Sequence, residues 1–277
     1  MVGTYRRTGI ARLRARSLMA RWLLNGYRFC SIDDPLALVA AIDGWARPLG
    51  LTGSVLVARE GINLALFGAR PAVEAVQARV EDAIDCDLVD VLWTAMAPGA
   101  APFRRLRVRE RSEIVTFGLP CDAAAPGAQD VPPRAWNALI ARPDVRVIDV
   151  RNDYEVALGS FAGAEDPGTA SFTEFRDYVE RELAQDMAQP IAMFCTGGIR
   201  CAKAGAWMRG RGFTQVYQLQ GGILGYLGAE DVDRSAWRGE CFVFDDRAQR
   251  PSLPAADAPA TPAVALAATA SGRADRE

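Results

Sequence analysis

Hydrophobic and polar positions change period several times along the first half of the chain. The segments YRFCSI and GSVLVARE alternate in the manner of half-buried strands, whereas the segment starting at Asp34 and Pro35 has the cap and first-turn proline of a helix. INLALFG follows as a strand, and RPAVEAVQARVEDAI has apolar residues at helical spacing. A last extended segment is predicted at FRRLRVRERSEIVTF. The order βαββαβ predicts a ferredoxin-like, or acylphosphatase-like, domain over residues 25–118.

The second half of the chain alternates strand and helix more regularly. Strands are predicted at PDVRVIDVRN, PIAMFC and TQVYQLQGG, and helices at TEFRDYVERELAQD, RCAKAGAWMRGRGF and from ILGYLGA onward. Apolar strands separated by helices are typical of a parallel sheet covered on both faces. We therefore predict an α/β domain over residues 135–235, preceded by a linker rich in Pro, Gly and Ala over residues 119–134.

Both ends of the chain differ in composition from its middle. Residues 1–24 carry six arginines and no acidic residue, which predicts a basic extension that could contact phosphate or simply be poorly ordered. Residues 236–277 form a C-terminal segment. After Asp246 this segment is rich in Ala and Pro and has no aromatic anchors, which predicts a disordered tail.

The overall composition is that of a globular protein of about two domains. The chain has 277 residues, 50% of them hydrophobic and 24% charged, and a net charge of -2. No apolar run approaches the roughly 18 residues of a membrane span and no signal core is evident, so we expect a cytoplasmic protein without membrane contact. The six cysteines include no CxxC pair and histidine is absent, which excludes His-ligated metals and Ser-His or Cys-His pairs. No metal or organic cofactor is predicted.

The stretch FCTGGIRCAKAG contains the strongest candidate for chemistry. Cys195 follows a predicted strand and precedes a predicted helix, where open α/β sheets place their sites. The rest of the predicted loop cradle is Thr196, Gly197, Gly198, Ile199 and Arg200. Its glycines let backbone N–H groups converge on the sulfur, and the arginine and the helix N-terminus favour the thiolate. Cys201, in the first turn of the helix, could either pack or act as a second thiol.

This loop resembles the active loop of rhodaneses, in which a cysteine is followed by four residues and an arginine. VIDVRNDYEVALGSFAGA and VYQLQGGILGYL are similar to the first and last signatures of that family, with Asp149, Arg151 and Glu155 at the expected positions. Asp149 and Arg151 would organise the loop or form a plain ion pair. Ser160 and Phe161 stand where many rhodaneses have His-Ile.

Segments from the whole chain make the resemblance more specific. YRF, LVAREGIN, EIVTFGLP, VIDVRNDYE, FCTGGIRC and WRGECFVFDDR together are similar to the bacterial rhodanese-domain tRNA uridine hydroxylases, over roughly residues 27–247. The resemblance implies oxygen-dependent conversion of the wobble uridine of tRNA to 5-hydroxyuridine. It implies Cys195 as the essential cysteine, dioxygen as co-substrate and tRNA as partner, with no obligate protein partner. The chain departs from the family pattern at Leu64-Ala65-Leu66 and after Asp246.

Two chemistries are open to the Cys195 thiolate. It could add to carbon 6 of uracil so that carbon 5 reacts with dioxygen, or it could carry a persulfide as sulfurtransferases do. A binding or regulatory module is the non-catalytic alternative, although such modules often lose the cysteine that this chain keeps.

Candidates for tRNA contact lie in two segments of the first domain. Arg59, Glu60 and Asn63 in AREGIN could line a cleft between the domains, or this segment could simply form a turn around Gly61. In FRRLRVRER, alternate arginines would share one face of an extended segment and could bind phosphate or protect an edge strand. These arginines are Arg105, Arg107, Arg109 and Arg111. The six tryptophans and eleven phenylalanines are predicted to lie chiefly in the core, with at most Trp207 or Phe194 near a base-stacking position.

Overall fold

The computed structural model describes residues 20–121 and 126–244, together with the backbone of residues 249–250. The predicted basic extension therefore lies outside the described residues except at its end, and so does most of the predicted tail after Asp246. Two α/β units are present, one on each side of residues 122–125, in agreement with the predicted fold class.

Residues 20–121 form five strands and two helices. The strands are β1 (Arg21–Phe29), β2 (Thr52–Ala58), β3 (Gly61–Ala69), β4 (Val89–Met96) and β5 (Leu106–Glu110), and the helices are α1 (Pro35–Ala46) and α2 (Arg70–Ile84). The strand order is β4-β1-β3-β2-β5. The first four strands form the antiparallel sheet of a ferredoxin-like fold, and β5 adds to its edge parallel to β2.

Both helices of this domain pack on the same face of the sheet. Asp34 caps α1 by accepting a hydrogen bond from the Ala37 N–H, as its sequence predicts. The apolar positions of α2 at helical spacing are all buried in the core of the domain. They are Val73, Val76, Val80 and Ile84. The opposite face of the sheet is directed toward the second domain, and the two share a cavity.

Two strand predictions in the first domain are wrong in extent or position. β1 begins at Arg21, six residues before the predicted start at Tyr27, because Leu23 and Leu24 are buried on opposite faces of the sheet. Residues 21–24 therefore belong to the domain and not to the predicted extension. The strand that completes βαββαβ is β4, and only Leu106–Glu110 of the predicted last segment is strand. Nearly every β4 residue is half-buried, which removes the alternation that would have revealed it.

The second domain is built on a parallel sheet. Its strands are β6 (Gln129–Val131), β7 (Arg146–Asp149), β8 (Gly159–Phe161), β9 (Ile191–Phe194), β10 (Val216–Leu219), β11 (Trp237–Gly239), β12 (Cys241–Phe242) and β13 (Gln249–Arg250). Its helices are α3 (Pro133–Ile140), α4 (Asp153–Val156), α5 (Phe175–Tyr178), α6 (Ile199–Gly210) and α7 (Gly222–Gly228), with single turns at Phe172–Glu174, Val179–Leu183 and Arg234–Ala236. The sheet order is β6-β10-β9-β7, while β8 pairs with β11 and β12 with β13.

Buried side chains cover both faces of the parallel sheet, as its apolar strands predict. Met193 packs with α6 on one face, and Trp136 of α3 packs against Phe194 on the other. Two short strands lie in intervals predicted to be irregular. β6 lies in the predicted linker, where Pro132 ends it after three residues at the sheet edge, the place where proline is tolerated. β13 lies in the predicted tail.

Candidate active site

Cys195 lies at the carboxyl end of β9, where the chain turns into α6. The Gly198 N–H donates to its Sγ at 3.2 Å, and Gly198 has a φ of 94°, a conformation that favours glycine. Gly222, at the start of α7, packs so tightly that a Cβ there would lie 2.5 Å from the Cys195 carbonyl oxygen. Two glycines thus let the backbone close around the cysteine.

The surroundings of Cys195 favour its thiolate. The side chain is only 1% exposed, and burial alone would raise its pKa. Interaction with the Cys201 thiol, the positive charge of Arg200 and the backbone N–H groups of both residues favour the charged form of the sulfur. These interactions outweigh burial and lower the pKa of Cys195 to about 5. Burial and the neighbouring thiolate raise the pKa of Cys201, which is therefore a protonated partner of Cys195 as well as a packing residue.

Arg200 is fixed by a buried carboxylate. Its Nη1 and Nη2 donate to Glu155 at 2.6 and 2.7 Å, and Thr196 Oγ1 donates to Glu155 at 3.1 Å. Glu155 also accepts from the Asn152 N–H in the capping box of α4. Burial alone would raise the pKa of Glu155, but Arg200 keeps it below its usual value. The guanidinium is thus held beside the sulfur by a bidentate pair.

Asp149 and Arg151 form a second buried ion pair behind the loop. Arg151 Nε and Nη2 donate to Asp149 at 2.8 and 2.6 Å, and Arg151 also donates to the Glu155 and Gly159 carbonyl oxygens. Ser160 Oγ donates to Asp149 at 2.7 Å, so the residue that departs from the usual rhodanese pattern still serves this carboxylate. The pair supports the strand end and α4, and it does not border the cavity around Cys195.

A cavity of about 630 Å³ separates the Cys195 loop from the open face of the first sheet. On the sheet side it is bordered by residues whose side chains share that face through the strand register. They are Asn25, Tyr27, Ser54, Leu56, Asn63, Ala65 and Leu92. On the other side lie Thr196, Gly197, Ile199 and Arg200 with Cys195, and Val243 and Phe244 also line the cavity. The volume is within the roughly 300–1,000 Å³ of small-molecule sites.

Asp90 and Tyr27 bring the first sheet into contact with the loop, a contact that the sequence analysis did not identify. Asp90 has a φ of 49° and lies at a shift of register between β1 and β4. Its carboxylate accepts from the Tyr27 hydroxyl at 2.7 Å and from the Gly221 N–H at 3.0 Å. It also lies so close to Gly198 that no side chain would fit there. Burial raises the pKa of Asp90, although the Tyr27 hydrogen bond opposes the shift.

Lys203 of α6 joins the two domains through a buried ion-pair cluster, also missed from the sequence. Its Nζ donates to both Glu60 oxygens, at 2.7 and 2.9 Å, and to Glu113 at 2.6 Å. The side chain of Lys203 is 1% exposed, and those of Glu60 and Glu113 are 5% and 12% exposed. Glu60 also accepts from the N–H groups of Ile114 and Cys121. The β2–β3 turn, the segment after β5 and α6 therefore form one unit.

The two predicted tRNA-contact residues of AREGIN lie in different places relative to the cavity. Asn63 borders the cavity, where its Nδ2 donates to the Ile114 carbonyl oxygen at 3.2 Å. Arg59 is exposed in the β2–β3 turn, reaches the Asp33 carbonyl oxygen, and does not border the cavity.

The four alternate arginines of the FRRLRVRER segment are all exposed. Arg107 and Arg109 pair in register with Ser54 and Leu56, so they extend from the sheet face that borders the cavity. Arg111 borders the cavity itself, and Arg105 precedes the strand.

Neither of the two aromatic residues predicted near a base-stacking position borders the cavity, whereas Phe244 does. Phe194 is fully buried in the second core, and Trp207 packs edge-on against Phe117 away from the cavity. Phe244 is 61% exposed, borders the cavity, and lies 5.6 Å from the Arg200 guanidinium. Phe244 lies in WRGECFVFDDR, just before a tail without aromatic anchors, and the local sequence there does not indicate a site. Only the position of this segment beside the Cys195 loop in space identifies Phe244.

Across the two described stretches, no helix is long and apolar enough to cross a membrane. Nor do these residues contain a group of three or more Cys, Asp or Glu side chains placed to hold a metal ion.

Comparison with known proteins shows two family models along the chain. The model described as UPF0176 acylphosphatase like domain matches residues 22–114, and the Rhodanese-like domain model matches residues 133–229. The matched ranges correspond to the two α/β units of the structure.

Curated relatives span both units. Proteins of Jannaschia sp. (strain CCS1) and Caulobacter vibrioides (strain NA1000 / CB15N) are 44% and 45% identical, each over 80% of this chain and over 73% and 72% of their own lengths. A Bradyrhizobium diazoefficiens protein is 44% identical over 80% of this chain and 88% of its own. All three are named tRNA uridine(34) hydroxylase.

Proposed function

The chain belongs to the tRNA uridine(34) hydroxylase family, and from this premise we propose that it hydroxylates the wobble uridine of tRNA at carbon 5 through the Cys195 thiolate, with dioxygen as co-substrate. The observation that carries the role of Cys195 is its position. Its sulfur is charged at neutral pH and borders a chamber whose opposite wall is the sheet of the first domain. With tRNA as substrate, we expect the enzyme to work in the cytoplasm.

The proposed chemistry begins with addition of the Cys195 thiolate to carbon 6 of the uracil ring. The electron pair of the carbon 5–carbon 6 bond moves toward carbon 4 and its oxygen, so carbon 5 becomes nucleophilic and reacts with dioxygen. The Gly198 N–H and the Arg200 guanidinium stabilise the sulfur whenever it is an anion, both before addition and after release.

The chamber suits an unpaired pyrimidine. Proteins recognise single-stranded RNA loops by splaying bases out and binding their edges, and an anticodon-loop base can be displaced without opening a duplex. Asn25 and Asn63 present amides on the sheet wall, and an amide can both donate to a uracil carbonyl and accept from its N3–H. Asp90 holds the loop against this wall, so a bound base would lie between the amides and the Cys195 sulfur.

Nucleoside analysis of tRNA tests the proposed function. In a strain lacking this gene, 5-hydroxyuridine and its derivatives should disappear, and purified protein should restore them in unmodified tRNA under air but not under argon. Loss of a thiolated nucleoside instead, with a sulfur adduct on Cys195 after thiosulfate treatment, would support a sulfurtransferase. An unchanged nucleoside profile would contradict both and favour a binding module.

The arginines of β5 are expected to bind the tRNA backbone. Replacing Arg107 and Arg109 by serine should weaken tRNA binding and reduce the slope of log K against log salt by roughly 1.4, since each lost phosphate contact contributes roughly 0.7 in single strands. The measurement is a salt series of binding constants.

The matched control removes two exposed arginines from the helix side of the same sheet, Arg47 and Arg79. This variant loses the same charge, so an equal change of slope in both variants would contradict a specific β5 contact.

Phe244 is expected to stack on a base beside the target uridine. Replacing it by alanine should weaken tRNA binding by about 1–3 kcal/mol, the usual value of one base–aromatic stack, and should raise KM more than it lowers kcat. Steady-state kinetics measure the effect. Leu36→Ala is the control because Leu36, on the far side of the first domain, is 62% exposed against 61% for Phe244. Equal KM values for the two variants would remove Phe244 from the binding surface.

A further inference from the structure

Among the described residues, Cys201 is the cysteine that packs in the same core cluster as Cys195. It lies in the first turn of α6, is fully buried, and does not border the cavity. Cys201 and Cys195 pack in the same buried core with Ala204 and Met208, and interaction with the Cys201 thiol helps to lower the pKa of Cys195. Cys195 borders the chamber and Cys201 does not, so Cys201 lies on the inner side of the pair.

Hydroxylation by dioxygen requires electrons that the uridine does not supply. One oxygen atom enters carbon 5, and reduction of the other to water requires two electrons and two protons. Oxidation of two thiols to one disulfide releases two electrons and two protons.

We propose that Cys201 is the second thiol of the reaction and that the Cys195–Cys201 pair supplies these two electrons by forming a disulfide in each turnover. This inference rests on the proposed function. It assigns Cys195 to the substrate side of the pair and Cys201 to its inner side, as their burial and contacts place them.

The steps balance in atoms and electrons. The adduct of the Cys195 thiolate at carbon 6 reacts at carbon 5 with dioxygen and a proton to give a hydroperoxide. Loss of the carbon 5 proton expels the thiolate and restores the ring double bond. The freed Cys195 thiolate attacks the terminal peroxide oxygen, the O–O bond breaks, and the oxygen left on carbon 5 takes a proton to give 5-hydroxyuridine.

The remaining step uses Cys201. Cys195 now carries a sulfenic acid, and Cys201, which packs in the same core, displaces its hydroxyl as water and forms the disulfide. The net reaction consumes uridine, one dioxygen and two thiols, and yields 5-hydroxyuridine, one disulfide and one water. A dithiol reductant entering the chamber attacks the disulfide at Cys195 and restores both thiols.

A second pair of neighbouring thiols provides the internal control. Cys30 and Cys86 pack in the core of the first domain, where Cys86 helps to raise the pKa of Cys30, but neither residue borders the cavity. If exposure to oxygen alone made disulfides, this pair would oxidise as well. A disulfide found between Cys195 and Cys201 and not between Cys30 and Cys86 would therefore come from the hydroxylation reaction.

The experiment is a single turnover of fully reduced, desalted wild-type protein in excess over unmodified tRNA, with air admitted and no added reductant. We expect 5-hydroxyuridine and the Cys195–Cys201 disulfide in equal amounts by peptide mass spectrometry, with Cys30 and Cys86 still reduced. Without tRNA, the disulfide should not form at that rate. Product without a matching disulfide would overturn the inference.

The Cys201→Ala variant gives a second, independent readout. It should stop after at most one slowed turnover, leave a Cys195 sulfenic acid that dimedone traps, and lose at least about tenfold in multiple-turnover rate with a dithiol reductant. Cys86→Ala should keep the wild-type rate. An unchanged rate in Cys201→Ala would overturn the inference while leaving the hydroxylase intact. Absence of 5-hydroxyuridine with wild-type protein, reductant and air would instead overturn the proposed function.

Discussion

Replacing Cys195 by serine is expected to lower the rate of uridine hydroxylation by at least about 10³-fold, because removal of an activated nucleophile costs most of the catalysis that depends on it. Serine has almost the same shape, so the Arg200–Glu155 pair and the Gly198 contact should persist. A serine hydroxyl, however, remains protonated where the Cys195 thiol is ionised. Production of 5-hydroxyuridine from unmodified tRNA under air measures the effect. A wild-type rate in this variant would rule out nucleophilic catalysis by Cys195.

The pH dependence of alkylation gives a check that does not require activity. Because the folded pKa of Cys195 is about 5, its thiolate fraction should rise as pH increases through 5 and be nearly complete at neutral pH. Iodoacetamide labelling of the Cys195 peptide should therefore level off above about pH 6, while an ordinary cysteine near pKa 8.5 still gains reactivity. In Arg200→Gln the plateau should move to higher pH. Labelling that rises only above pH 8 in wild-type protein would show that the thiol is not activated.

Replacing Lys203 by methionine is expected to destabilise the fold by about 3–5 kcal/mol, because removing one partner leaves the carboxylates of a buried ion pair uncompensated. Methionine keeps the length and apolar stem of the lysine, so lost charge rather than lost volume dominates. Glu60 and Glu113 would still accept from backbone N–H groups, which limits the loss. Denaturant unfolding followed by circular dichroism measures the free energy of unfolding.

The direction in which the free energy of unfolding changes with pH gives a further test of this prediction. Burial would raise the pKa of Glu113, but Lys203 and the N–H groups of Phe117 and Gly118 hold it below its ordinary value of 4.5. In wild-type protein the ionised Glu113 therefore contributes stability above that value, and this contribution is lost as pH falls through the folded pKa. In the Lys203→Met variant, protonation of Glu113 removes its unpaired charge. The difference in free energy of unfolding between wild-type protein and this variant should therefore become smaller toward pH 4.

The control for Lys203→Met is Arg211→Met, which breaks the pair with Glu180. That pair has an N–O distance of 3.1 Å and side chains 50% and 52% exposed. An exposed pair contributes about 0–1 kcal/mol. Equal losses of stability in the two variants would mean that burial of the Lys203 cluster has no special energetic role.

The loop around Cys195 was predictable because its determinants are consecutive in sequence. A strand, a glycine pair, an arginine and a helix start within a few residues of each other fix where the sulfur and the N–H groups lie. The ferredoxin-like order was predictable for a similar reason, since each period of hydrophobicity reports a local element. Even there, β4 escaped prediction because nearly every one of its residues is half-buried.

The walls of the site were not predictable from local pattern. Lys203 and Glu60 are 143 residues apart, and Asp90 reaches Gly221 across 131 residues. Which polar side chains meet over such separations depends on how two independently patterned domains pack, and no periodicity within either domain encodes that. Cys201 shows the same limit on a small scale, because the direction of its thiol toward Cys195 depends on loop geometry and not on spacing alone.

Because Lys203 is buried, reagents and enzymes that act on lysine side chains should not reach it in the folded protein. It is the only lysine in the 277-residue chain, whose other basic side chains are all arginines. In the folded state, amine-reactive labels and acetyl donors therefore find no accessible ε-amine. A protease that cleaves after lysine should leave the native chain whole and cut it once, between Lys203 and Ala204, when the domains separate or unfold. The rate at which that one pair of fragments appears would then measure how often the domains separate or the chain unfolds.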